Sequence, residues 1–149
     1  MDNNGNGLLN YFTALQQRLR RVRVCCGDWR RVLGPSVTVV HGITGIVFDP
    51  PYATSEGRDM NIYAVEDGDV AHQVRDWCLE HGNHPQLRIV LCGYDPTHDA
   101  LCTHGWTKME WHAHGGMGLQ GNNAGRANKD REMLWCSPAC LGPAQPRLL

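Results

Sequence analysis

The tetrapeptide Asp49-Pro50-Pro51-Tyr52 brings together a carboxylate, two prolines and an aromatic ring. An ionised Asp side chain only accepts hydrogen bonds. Pro50 has no N–H and offers its carbonyl, a second acceptor. Together Asp49 and the Pro50 carbonyl can take both hydrogens of one exocyclic amino group. That draws the nitrogen lone pair out of conjugation and aims it at an electrophile. Tyr52 can stack on the flat base that carries the amino group, and Pro51 can line the same pocket. A plainer reading is a strand followed by a tight Pro-Pro turn, with Asp49 as a local cap. The specific combination, placed after an apolar strand, favours the chemical reading.

These residues need a support. The run Gly45-Ile46-Val47-Phe48 predicts a strand buried on both faces, which the two prolines then stop. Asp49 is thereby expected at the carboxyl end of a parallel strand, where ligands bind in open α/β sheets. Val70, Val74, Trp77 and Cys78 mark the buried stripe of a following helix, which Asp67 or Asp69 caps and Gly82 ends. Leu87 to Cys92 is a second buried strand, and strand, helix and strand form a right-handed βαβ unit. It ends at Gly93-Tyr94-Asp95. Tyr94 and Asp95 either line the pocket or begin a turn at Asp95-Pro96.

The remaining elements are weaker. Leu8, Phe12, Leu15, Leu19 and Val22 recur at helical spacing and predict an amphipathic covering helix. Val22 to Cys26 predicts a strand ending in Gly27-Asp28-Trp29. There Asp28 and Trp29 are equally suited to contact an adenosyl group or to act as helix cap and core residue. Arg30 to Val40 holds a short turn of helix broken at Gly34-Pro35, and Thr97 to Leu101 a short helix. Thr107 to His112 alternates as a half-buried strand, and Arg131 to Ser137 is another strand. The two are expected to pair as an antiparallel hairpin around the Gly- and Asn-rich loop Gly115 to Lys129. That loop, with His112, His114, Arg126 and Lys129, is either a DNA contact or a plain surface loop, and its histidines favour the latter. Ala53 to Asp59 is expected to be a mobile loop beside the site.

Length and composition set bounds. The chain has 149 residues and a net charge of −1, so one domain is expected, spanning 1–149, with frayed ends at 1–7 and 142–149. No global basic field marks a nucleic-acid partner. Arg18, Arg20, Arg21, Arg23, Arg30 and Arg31 crowd one stretch, either a phosphate-facing patch or, the slightly favoured reading, the solvated face of a helix and the turn after it. The seven cysteines show no paired C-x-x-C pattern, so reduced thiols, a cytoplasmic setting and no metal are expected. No apolar run is long enough to span a membrane.

The segments RVRVCCGDWRRVL (Arg21 to Leu33), GIVFDPPY (Gly45 to Tyr52), LRIVLCGYD (Leu87 to Asp95) and REMLWCSPAC (Arg131 to Cys140) resemble one family. It is the phage and bacterial adenine-specific DNA methyltransferases that carry a D-P-P-Y motif. The resemblance runs from Leu9 to Leu141. It implies that Asp49, Pro50 and Tyr52 engage a flipped adenine. It also implies that Asp28 and Trp29 lie near the adenine of the methyl donor, S-adenosylmethionine. Double-stranded DNA is the implied partner. The implied fold is α/β: part of a Rossmann-like methyltransferase sheet, mostly parallel, closed by the C-terminal antiparallel hairpin.

The family's glycine-rich F-x-G-x-G loop and its first two strands have no counterpart here. Gly5-Asn6-Gly7 follows no strand, and His41-Gly42-Ile43-Thr44-Gly45 leads into the D-P-P-Y strand instead. Without those two strands, Val22 to Cys26 must pair elsewhere or leave an edge open. The chain therefore resembles the C-terminal, base-gripping half of an adenine-N6 methyltransferase: a split subunit completed by a separate N-terminal half, a truncated gene product or a decayed remnant. The competing expectation is a non-catalytic DNA-binding or assembly fragment. Methylation of a cytosine, an RNA guanine or a protein glutamine is a third, disfavoured by the leading aspartate and the REMLWCSP match.

Overall fold

The computed structural model describes residues 6–51, 68–111 and 131–140. The chain divides into two units, Met1–Gly34 and Pro35–Leu149.

In the first unit, α1 spans Asn6–Leu19. Its apolar spacing is the expected one, but Leu8, Phe12, Leu19 and Val22 are exposed and only Leu15 is half-buried. Val22 to Cys26 is not a strand, which corrects the sequence reading. Strand-forming residues hold an extended segment only when a neighbour completes the backbone ladder. Here none does, and Val24 is 94% exposed. A 3-10 turn, Trp29–Val32, follows.

The second unit is built on a four-stranded mixed sheet. Its strands are β1 (Thr44–Phe48), β2 (Leu87–Tyr94), β3 (Thr107–Glu110) and β4 (Glu132–Cys136), in the spatial order β1-β2-β4-β3. β1 and β2 run parallel, with Phe48 opposite Leu91. β4 is antiparallel to both its neighbours, pairing Cys92 with Leu134 and Met109 with Leu134. The hairpin is therefore as expected. The sheet is not mostly parallel, because the strand that would have extended its parallel side is not formed.

α2 (Val70–His81) lies between β1 and β2 in sequence and supplies one layer. Ala71, Val74 and Cys78 are buried along it, while Val70 and Trp77 are half-buried. Trp77 meets Phe48 edge-on at 5.4 Å and stacks on His81 at 4.2 Å. Ile89, Leu91 and Trp135 are fully buried, and each such side chain contributes roughly 1.5–3 kcal/mol. Trp135 also donates its indole N–H to Asp99 at 3.3 Å.

Two glycines are explained by packing. Gly82 ends α2, with its N–H on the Cys78 carbonyl at 2.8 Å, but at φ −61° rather than in a left-handed cap. A Cβ there would stand 2.6 Å from the Trp106 indole. At Gly93 a Cβ would stand 2.6 Å from the His98 ring. Ser137 extends the ladder past β4. Its Oγ accepts the Ile89 N–H at 3.0 Å, and its own N–H donates to the Ile89 carbonyl at 2.8 Å.

β1 was expected to be buried on both faces. It instead lies at the sheet edge with alternating exposure, and Val47 is 72% exposed. The face opposite α2 is uncovered over Val47 and Met109, since none of this unit's described elements packs there. Among the described residues no helix is long and apolar enough to cross a membrane.

Candidate functional site

Asp49 follows the last residue of β1 and Pro50 and Pro51 follow it, so the prolines end the strand as their missing N–H groups require. Parallel pairing of β1 with β2 puts Asp49 and Asp95 on the same edge of the sheet. Asp49 is exposed, and Pro50 and Pro51 are half-buried.

A hollow of about 380 Å³ opens beside Asp49 on the uncovered face. Val47, Val90, Cys92 and Leu134 wall it, with Met133 also contributing, and Glu132 and Trp111 join Asp49 at its lining. The register explains the company. Cys92 stands opposite Leu134, Tyr94 opposite Glu132, and the Trp111 N–H reaches the Glu132 carbonyl at 3.1 Å. The hollow is thus an apolar floor with two carboxylates and one indole.

The electrostatics follow from this crowding. Burial, and then the charge of Asp49, hold the Glu132 carboxyl above the ordinary Glu value. Burial pushes the Cys92 thiol up to about 11, helped by Asp49, Glu132 and Cys136. Cys92 therefore stays protonated at neutral pH and is no nucleophile there. What remains is a hydrogen-bond-accepting rim over a flat apolar wall. Such a site suits a planar ligand that presents N–H donors.

The other expected site residues are placed differently. Tyr52 lies outside the described residues, as do Asp67, His112, His114, Arg126, Lys129, and the loops Ala53 to Asp59 and Gly115 to Lys129. Tyr94 is buried, lies under the Arg131 guanidinium at 4.8 Å, and is not part of the hollow's lining. Asp95 begins a turn, with the Thr97 N–H on the Tyr94 carbonyl at 2.8 Å, and its carboxylate pairs with Lys108.

Asp28 caps the Trp29–Val32 turn, its Oδ1 accepting the Arg30 N–H at 2.8 Å and its Oδ2 meeting the Arg30 guanidinium at 3.3 Å. That guanidinium lies 4.6 Å from the centre of the half-buried Trp29 ring. The capping reading of Asp28 thus holds. Among the described residues no glycine-rich loop follows a strand, and the strand expected to carry Asp28 and Trp29 is not formed.

Sequence reasoning missed Glu132 and Trp111. Alternation in Thr107 to His112 did put Met109 and Trp111 on one face. Only the register of β4, however, brings that face to Asp49. Comparison with protein-family models, with curated proteins and with solved structures finds no match.

Proposed function

We propose that this chain is the base-holding half of a DNA adenine-N6 methyltransferase, with the methyl donor bound by a separate N-terminal half. The observation that carries the proposal is the placement of Asp49 just past the carboxyl end of β1, where it lines an apolar hollow and Pro50 follows it. The sheet's closing antiparallel pair is in keeping with the same reading of a partial Rossmann-like methyltransferase sheet.

In this reading the adenine leaves the duplex stack and lies against the apolar wall. Asp49 and the Pro50 carbonyl each accept one amino hydrogen, and Tyr52 and Trp111 supply aromatic faces. Asp49 need not be a strong base, because the amino proton becomes acidic only as the nitrogen gains its methyl group. The contribution is positioning and electrostatics.

One observation favours a second reading, a non-catalytic DNA-binding or assembly fragment: the strand expected to carry Asp28 and Trp29 is not formed, and among the described residues no glycine-rich loop follows a strand. Two measurements separate the readings. Calorimetric titration with S-adenosylmethionine is expected to give no heat with the lone chain and to give binding once an N-terminal half is added. Labelled-methyl transfer to unmethylated duplex DNA by that pair is expected to be abolished by Asp49→Ala. Normal adenine methylation by the Asp49→Ala pair would refute the assignment, and failure of every pairing to bind donor would leave the fragment reading.

A further inference from the structure

The first unit carries an unusual concentration of charge. Residues 1–34 hold six arginines against Asp2 and Asp28, a net +4. The remaining residues hold eight Lys and Arg against thirteen Asp and Glu, a net −5. A unit of that sign, with Asp49 and Glu132 at its hollow, repels a polyanion. The concentrated positive charge of the chain lies instead in the first unit.

All six arginines are exposed. Among the described residues only Arg30 of these six has an acidic partner, Asp28. Among the described residues Arg18, Arg20, Arg21, Arg23 and Arg31 are paired with no carboxylate. Gln17, Arg20 and Arg21 line a hollow of about 340 Å³ at the end of α1. Two planar guanidiniums and an amide make a donor set suited to phosphate oxygens. Stabilisation of the helix C-terminus accounts for Arg18, which lies in the last turn of α1. It does not account for Arg23 or Arg31, which lie beyond the helix.

The distribution also distinguishes polyanions. A helix lying on an anionic membrane spreads its basic residues along its polar face. From Asn6 to Gln17 α1 has no charged residue, and the arginines gather at Arg18 to Arg31. That is a cationic end and a loop, suited to a phosphate track.

We propose that Arg18, Arg20, Arg21, Arg23 and Arg31 contact the phosphate backbone of duplex nucleic acid and supply sequence-independent affinity. The choice of nucleic acid rests on the methyltransferase reading; the cationic surface does not.

The test is fluorescence anisotropy of the full chain on a labelled duplex of G·C pairs only, without donor, over a series of salt concentrations. Each phosphate neutralised contributes about −0.9 to the slope of log K against log salt, so five contacts give a slope of about −4 to −5. The double variant Arg20→Gln, Arg21→Gln is expected to flatten the slope by about 2. Circular dichroism checks that both proteins are equally folded, as expected for exposed side chains. An unchanged slope in the folded variant overturns the proposal. So does binding to phosphatidylserine vesicles without binding to the duplex. Duplex binding with this slope but no methylation by any pairing would keep the phosphate contact and remove the methyltransferase reading. Methylation with an unchanged slope would do the reverse.

Discussion

Lowering the pH is expected to destabilise the second unit through one side chain, His98. Its ring is 1% exposed and meets Trp135 edge-on at 5.1 Å. Its Nδ1 is buried with no hydrogen-bond partner among the described residues. Burial, and then Arg75 and His72, push its pKa from 6.5 down to about 4, partly opposed by Asp99. The folded state therefore excludes a proton that the unfolded state accepts. Above the ordinary imidazole value neither state binds it and His98 adds no pH dependence. As the pH falls from 6.5 towards 4 the unfolded state protonates first, and stability drops by about 1.4 kcal/mol per pH step. The full interval amounts to ~3 kcal/mol, after which both states are protonated and the effect levels off. Urea unfolding across this range gives the wild-type curve, which also contains the carboxylates. His98→Leu gives the same curve without His98, so the difference isolates the ring. Parallel curves for the two proteins would refute the reasoning.

Two further perturbations follow from the packing and the site. Gly93→Ala is expected to lose ~1–3 kcal/mol or more in urea unfolding, because the new Cβ meets the fully buried His98 at 2.6 Å and Trp135 at 3.4 Å; a loss below ~0.5 kcal/mol would mean that the core yields there. Asp49→Asn removes the charge that helps hold the Glu132 proton, so the Glu132 carboxyl is expected to titrate at lower pH by carbon-detected NMR. An unmoved Glu132 titration would show that the two carboxylates do not share the hollow.

The second unit was largely legible because its signals are local. Four apolar residues before two prolines mark β1, a helical stripe before Gly82 marks α2, and alternation marks the strands of the hairpin. Val22 to Cys26 has the same local signal and fails, because a strand exists only where a neighbour pairs with it. The same dependence makes β1 an edge strand and leaves one face of its sheet open. Gly82 was expected for its backbone freedom and is instead explained by the Trp106 indole above it. Half of the candidate site was legible. Asp49 and the prolines act through adjacent residues, whereas Glu132 and Trp111 reach Asp49 only through the register of four strands, which no spacing in the sequence encodes.

The central claim is that Asp49 and the Pro50 carbonyl grip an exocyclic amino group, and it can be tested on the lone chain. The measurement is an NMR titration that follows the backbone amides of Val47, Phe48 and Asp49 with adenosine and with purine riboside, which lacks only the amino group. Adenosine is expected to shift these amides and purine riboside to leave them unmoved, with Asp49→Ala abolishing the adenosine response. Equal shifts with both nucleosides, or an adenosine response that survives Asp49→Ala, would contradict it.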